Sequence, residues 1–472
     1  MPPTVLLINP PIYDFAAYDL FNKPLGLLYL AGFVRQAGYA VRLADALDRN
    51  HPLLAGLAGR PATKADGTGK YYREVIDRPA VLREVPRQYR RYGLPEERLA
   101  QAIEQAAQPA RPLAVLVTSM MTYWYPAVAE AIALVRRLLP GVPVALGGVY
   151  ATLMPEHARR VCRPDALFAG PALSAALGWL DSLAGSARDY GSLSDDFAAW
   201  PDPAYDLYDG LDYLTVLSSV GCPCHCDYCA SRLIQPRLQQ LSPDAFVRQL
   251  ERLLPHLHPA ERSPSATPRL ESLDRCNVAF MDDALLAHGE AHLLAILDRC
   301  AGVNVPLHFH CPNGLHCRWV SPAVAEALFA RRFEMIPLSY ESSEATSRGV
   351  RAGDGKTNDR YFAQAVENLA RAGYRRRDLQ AYVLVGLPGQ TFDQMRCSAA
   401  VAHDLGVRVR LCQFSPIPGT PLFEPACREY GLDPGEPLGH NNSVLPYLDR
   451  RLGADAHQAF KNHVLDLNRR LD

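Results

Sequence analysis

Two kinds of apolar spacing alternate along this chain, short unbroken runs and longer stretches of helical period, and their order predicts its elements. Residues 5–9 read VLLIN, a β-rich run of the kind buried on both faces of a parallel sheet. Pro10 and Pro11 end it, residues 25–36 then take helical spacing up to Gly38, and a second strand follows at 39–43. The rhythm returns with a strand at 113–118, a helix at 127–139 and a strand at 142–146 that leads into Gly147 and Gly148. Strand and helix in turn over residues 1–190 predict an α/β fold, a doubly wound Rossmann-like domain.

Residues 60–108 break this rhythm and read as an insertion, a lid or a docking surface. Its GTGK at Gly67 to Lys70 is no phosphate loop: Lys64 stands where the first glycine belongs, and Tyr71 replaces the hydroxyl that would hold magnesium. Residues 192–212, rich in Asp, Pro, Tyr and Gly, predict a connector. Beyond it come six strand-like runs, at 213–218, 278–281, 307–310, 335–338, 381–385 and 408–414. Helical stretches at 243–254, 290–299, 322–331, 361–372 and 392–405 separate most of them, and a Pro- and Ser-rich surface loop is expected at 256–269. The repeats predict a partial (β/α)6 barrel over 191–424, followed by a helical tail over 425–472.

Composition narrows the function. Apolar residues make up 48% of the chain and charged residues 21%, the makeup of a globular protein. A net charge of −1 gives no electrostatic footprint for nucleic acid, although residues 83–98 are locally rich in arginine. No apolar run reaches the ~20 residues that cross a bilayer, and no cationic region precedes the first one. No membrane partner is expected, and the location expected is cytoplasmic. Four of the twelve cysteines crowd into residues 222–229, which suits metal thiolates in a reducing compartment better than disulfides.

Cys222, Cys226 and Cys229 form a C-x3-C-x2-C array just after a predicted strand. Three thiolates on one short loop can bind three irons of a cubane and leave the fourth open. Cys224 lies inside the array, so a zinc site on Cys226 and Cys229 with Cys224 or His225 is the rival. Such a site normally draws on a second ligand pair, and Cys311 and Cys317 fall in another βα repeat.

The segment LSSVGCPCHCDYCAS resembles the radical S-adenosylmethionine (SAM) superfamily. The resemblance implies a [4Fe-4S] cluster on Cys222, Cys226 and Cys229 that chelates SAM and splits its sulfonium to a 5′-deoxyadenosyl radical. It implies that Tyr228 contacts adenine, that Asp282 or Asp283 accepts the SAM amino group, and that Glu341 of the YES segment binds the ribose. Gly386 and Gly389 of VLVGLPGQT would allow backbone close to adenine, and Arg318 of the NGLxxR-like segment would hold an anionic group. FSPIPGTPLF, ending the sixth repeat, resembles members that carry an amino-terminal cobalamin-binding-type domain.

The first domain resembles that cobalamin-binding type through VLLINPP, VTSM and LGGVYATLMPEH, with Ser119, Gly147 and Gly148 placed to meet the nucleotide tail. It departs from the type in lacking DxHxxG, and no histidine precedes His51, so the usual axial ligand to cobalt is missing. The apolar run Met120 to Tyr125 reads either as the lower face of a corrin pocket or as packing between domains. His308 and His310 alternate on one strand, as barrel-facing proton-transfer groups or as packed histidines.

The resemblance thus implies a radical SAM enzyme, with cobalamin-dependent methyl transfer to an unactivated carbon of a small metabolite as the leading reading. A cobalamin-free enzyme for hydrogen abstraction, rearrangement or C–S bond formation is the second, and a non-catalytic iron-sulfur protein that binds or senses is the third. The partners implied are a small-molecule substrate and a one-electron donor such as a flavodoxin or ferredoxin. Cys226→Ala is expected to abolish iron binding and SAM cleavage, and Cys224→Ala to leave both largely intact. Iron analysis and chromatography of the products of the two variants check this.

Overall fold

The computed structural model describes residues 2–191, 193, 196–257, 274–287, 289–344 and 358–472. Most of the loop expected at 256–269, and residues 192, 194 and 195 of the expected connector, lie outside the described residues. The chain divides into two compact units, residues 1–215 with 252–270, and residues 216–251 with 271–472. No helix among the described residues is long and apolar enough to cross a membrane.

In the first unit five strands, β1 (Thr4–Asn9), β2 (Ala40–Asp45), β3 (Ala114–Val117), β4 (Val144–Leu146) and β5 (Ala166–Leu167), form one parallel sheet in the order β2-β1-β3-β4-β5. The unbroken apolar run of β1 follows from burial on both sides. Leu6 and Ile8 enter one core layer, and Val5 and Leu7 enter the other. The first layer contains Val128 and Ile132 of the helix Tyr125–Leu138, and the second contains Leu27 and Val34 of Leu25–Gln36.

The stretch read as an insertion contains the missing crossover helix. Glu96–Ala106 puts Leu99, Ala102 and Ile103 into the first core layer, an i, i+3, i+4 stripe that the surrounding arginines and glutamines obscured. Much of the rest is ordered by strand pairing. Ile12–Asp14, Arg73–Val75 and Arg90–Tyr92 form a small antiparallel sheet, with Arg90–Tyr92 in the middle. Buried Arg49 donates to the carbonyls of Gly67 (2.8 Å) and Lys70 (3.2 Å) and to the Thr63 hydroxyl (2.9 Å), so the GTGK turn is clasped to the domain.

The second unit carries two four-stranded sheets. With β6 (Leu214–Val216), β7 (Cys276–Phe280), β8 (Leu307–His310), β9 (Leu315–His316), β10 (Phe333–Met335), β11 (Pro337–Glu341), β12 (Gln380–Val385) and β13 (Arg408–Gln413), their orders are β10-β8-β7-β6 and β9-β11-β12-β13. Only Ile336 separates β10 from β11, so the two sheets share one stretch of chain and together follow the strand sequence of a partial barrel.

On the helix side of the first sheet Phe280, Phe309 and Phe333 pack against one another, and Phe280 stacks on Phe246 of Pro243–Leu253, at centroid distances of 5.2–5.9 Å. His308 and His310 therefore face the other side. There His308 Nδ1 meets Glu334 Oε1 at 2.7 Å, Arg275 grips the same carboxylate, and His310 Nε2 meets Asn277 Oδ1 at 3.2 Å. Both histidines are thus hydrogen-bonded on that side, an arrangement that either reading of the pair allows.

The tail does more than close the chain. β13 ends its sheet, and Asn468 of the helix Gly453–Arg469 accepts the Val409 N–H at 2.8 Å and donates to the Val409 carbonyl at 2.9 Å. The side-chain amide thus stands in for a neighbouring strand at an exposed edge. Asn468→Ala is expected to cost about 1–3 kcal/mol by leaving those two groups unpaired. Urea unfolding with an unchanged m-value checks it.

Candidate cofactor site

β6 runs on to Ser219–Val220, which pairs with Gln239–Gln240, and the cysteine loop spans the gap between these two pieces. Gly221 has φ +82°, and a Cβ there would run into the Arg237 carbonyl, so only glycine lets the loop leave the strand this way. None of the twelve cysteines is in a disulfide. Cys222 and Cys226 are half-buried and Cys229 is exposed, whereas Cys224 is only 7% exposed. Among the described residues no three His, Cys, Asp or Glu side chains close on a single ion.

Beside the loop, Asp282 is buried and accepts from the Ser218 N–H (3.1 Å), the Ser218 hydroxyl (2.6 Å) and the Ser219 hydroxyl (2.6 Å). Burial pushes its carboxyl above the usual range, against the pull of those serines. Asp283 turns outward and accepts from the Ser231 hydroxyl at 3.1 Å. Asn313 donates to the carbonyls of Met281 (3.0 Å) and Asp282 (3.1 Å), which fixes the same strand end from the other side.

Three further elements meet here. Glu341, at the end of β11, is buried with φ +66°, a left-handed backbone rare for a glutamate. The Tyr228 hydroxyl is buried without a conventional hydrogen bond, and burial, then Glu341, then Cys226 hold its phenol well above its ordinary range. On β13 the Cys412 thiol is pushed up to about 12 by burial and next by the same Glu341. The cysteine loop, the fourth strand and the sixth strand thus converge on Glu341. The loop is also tied to the segment after β13, since the Leu422 N–H donates to the Asp227 carbonyl at 3.0 Å.

Gly386 follows β12 with φ +77°, and a Cβ there would strike Gln413 Nε2. That amide nitrogen is buried without a partner. Sequence reasoning missed Gln413, because nothing local marks a side chain that crosses to the next strand. Gly389, also at positive φ, has open space where a Cβ would lie, and its N–H donates to Glu429 at 2.7 Å. Arg318 is exposed and stands 5.8 Å from the Tyr361 ring centroid.

In the first unit the strand order reverses between β1 and β3, where open α/β sheets bind ligands outside their carboxyl ends. A small cavity lies there, lined by Asn9, Pro11, Ser119, Met120 and Trp124. Ser119 is occupied internally: its hydroxyl donates to the Gly147 carbonyl at 2.6 Å and accepts from the Ala151 N–H at 3.3 Å. Gly148, at φ +93°, is glycine because a Cβ would strike the Ser119 backbone, whereas Gly147 is less tightly enclosed. Met120 and Met121 are the exposed apolar side chains after β3. The residues after β1, where the expected DxHxxG would stand, form the strand Ile12–Asp14 of the small sheet.

No protein-family model and no curated protein matches the sequence. Solved structures do. The radical S-adenosylmethionine methyltransferase TsrM from Kitasatospora setae, with cobalamin and a [4Fe-4S] cluster bound, superposes with a TM-score of 0.60 and 15% identity over 91% of this chain and 79% of its own. The same protein with tryptophan substrate and a SAM analogue bound gives 0.61 and 14%, over 91% and 76%. Over 91% of its length the chain thus shares the fold of that methyltransferase, an amino-terminal parallel α/β sheet followed by the strands of a partial barrel. A third match, coproporphyrinogen III oxidase from Escherichia coli, has a TM-score of 0.36 over 56% of this chain and carries no argument.

The residues present here fit the groups bound in that methyltransferase. A cubane asks for one thiolate per iron rather than a closed single-ion cage, and three accessible thiols with a fourth turned inward meet that demand. The exposed methionines beside the switch-point cavity offer an apolar face to a corrin, with no axial imidazole after β1. Gly386→Ala is expected to lower Tm through left-handed strain of about 1–2 kcal/mol plus the clash with Gln413. Gln413→Ala should cost little alone and should relieve the clash, but not the strain, in the double variant. Thermal unfolding of the three proteins checks it.

Proposed function

We propose that this protein is a radical SAM enzyme, and that it carries out cobalamin-dependent methyl transfer to a carbon of a small metabolite. One observation carries the first part: Cys222, Cys226 and Cys229 stay accessible on one loop beside Asp283, Tyr228 and Glu341, while Cys224 is buried. When bound, the cluster supplies one electron to the SAM sulfonium and the corrin carries a methyl group.

The chain's own residues do the positioning. Asp283 is the acceptor for the SAM amino group, because the oxygens of Asp282 already serve Ser218 and Ser219. Glu341 accepts the ribose hydroxyls from the carboxyl end of its strand, where active sites of such barrels lie. Tyr228 closes over the site and keeps water from it, and the missing Cβ of Gly386 makes room for the Gln413 amide at the end of the neighbouring strand. The electron comes from a flavodoxin- or ferredoxin-like partner.

The absence of an axial histidine and the use of Ile12–Asp14 as a strand favour a second reading, a cobalamin-free radical SAM enzyme. Anaerobic purification from cells supplied with cobalamin separates the two. About four irons, near-stoichiometric corrinoid and a methylated product are expected. Iron without corrinoid, together with 5′-deoxyadenosine, would give the second reading the place of the first. In the cobalamin form, Met120→Glu with Met121→Glu should lower corrinoid content at least tenfold and leave iron content unchanged.

A further inference from the structure

Ser231 stands between two groups that the proposed function uses separately. Its backbone N–H is directed at Cys229 Sγ (3.5 Å), and its Oγ lies 3.3 Å from that sulfur and 3.1 Å from Asp283 Oδ1. A serine hydroxyl has one proton to donate. Facing an ionised carboxylate and a thiolate, it hydrogen-bonds to one and leaves the other.

Hydrogen bonds to cluster sulfurs are among the factors that set a reduction potential, because they stabilise the more negative, reduced state. We infer that Ser231 couples occupancy of Asp283 to the ease of reducing the cluster. With Asp283 empty, its carboxylate holds the hydroxyl, and Cys229 Sγ keeps only the Ser231 N–H. An amino N–H of SAM donated to Asp283 competes for that carboxylate, so the hydroxyl turns to Cys229 Sγ and the potential rises. The electron is then accepted when SAM is seated and resisted when it is not. The step being tuned is the gain of one electron from an external one-electron donor, with no bond made or broken in the protein. The inference rests on the reading above, in which Cys229 binds the cluster and Asp283 the SAM amino group.

The test is a set of midpoint potentials, measured with and without SAM, on protein reconstituted with iron and sulfide. Dithionite and mediators set the potential, electron paramagnetic resonance reads the reduced cluster, and iron content is measured first for each variant. In the wild type SAM should raise the potential by the equivalent of about a tenfold change in the reduction equilibrium, 59 mV for one electron. Ser231→Ala should lose most of that rise, and Ser231→Thr, which keeps the hydroxyl, should recover it. Asp283→Ala should have a raised potential without SAM, and adding Ser231→Ala to it should remove that increase.

An undiminished rise in Ser231→Ala overturns the inference. So does a double variant that keeps the Asp283→Ala increase, because charge alone would then explain it. If Ser231→Ala fails to hold the cluster, Asp283→Ala decides, and an unchanged potential without SAM overturns the inference. In each of these cases a wild-type signal that responds to SAM leaves the proposed function standing. A wild type that takes up no cluster removes both.

Discussion

Asp282 binds the end of the first barrel strand to the end of the second, and the cysteine loop stands directly on that contact. A carboxylate buried this deeply is costly unless donors surround it, and the two serines that end the first strand supply three hydrogen bonds. Because Ser218 and Ser219 are held, Gly221 starts its turn at a fixed point, and the three accessible thiols follow within eight residues of it. Asn313 adds the third strand by binding the backbone of Met281 and Asp282. The next residue, Asp283, points outward because its neighbour points inward. One acidic pair thus divides into a residue that holds the frame and a residue free to meet a ligand.

The first unit solves a related problem with ions. Lys23 is buried, 3.4 Å from Asp48 and 4.3 Å from the Tyr208 ring centroid, while Tyr208 donates to Asp45 at 2.6 Å and Tyr213 donates to Asp19 at 2.6 Å. The three aspartates lie at or beyond the carboxyl ends of β1 and β2, among loops that also bury Phe15, Phe21, Leu47 and Tyr71. Paired charges and aromatic faces join the apolar packing there, and removing Lys23 or Asp48 would strand the other as a buried ion. The cost of that arrangement explains why Arg49 is spent on backbone carbonyls of the GTGK turn: a guanidinium with five donors can fasten a turn at several points.

Periodicity reported the elements that bury a face. The run VLLIN became β1, and the helices at 25–36 and 290–299 have the bounds that spacing predicted, because one buried stripe leaves a repeating mark. The helix Glu96–Ala106 was missed because only Leu99, Ala102 and Ile103 carry its stripe amid polar neighbours. In the site, the cysteine array and the acidic strand ends were legible as clustered chemistry. Ser231, Gln413 and Asn468 were not. Each meets a group brought near by the fold, and a contact between a side chain and a distant segment leaves no trace in residue spacing.

Cys224 shows what spacing alone leaves open. In CPCHC the second cysteine is as near to its neighbours in sequence as any ligand would be, and composition gives no reason to pass it over. Packing gives the reason. A ligand must present its sulfur on the surface of the loop where the metal sits, and Cys224 lies inside, so recruiting it would expose apolar surface and unpack the turn. Cys229, by contrast, is exposed and receives the Ser231 N–H, a donor that suits a thiolate better than a thiol. The three thiols are therefore distinguished from the fourth by where the chain turns them, and that turning begins with the glycine whose backbone the strand end requires.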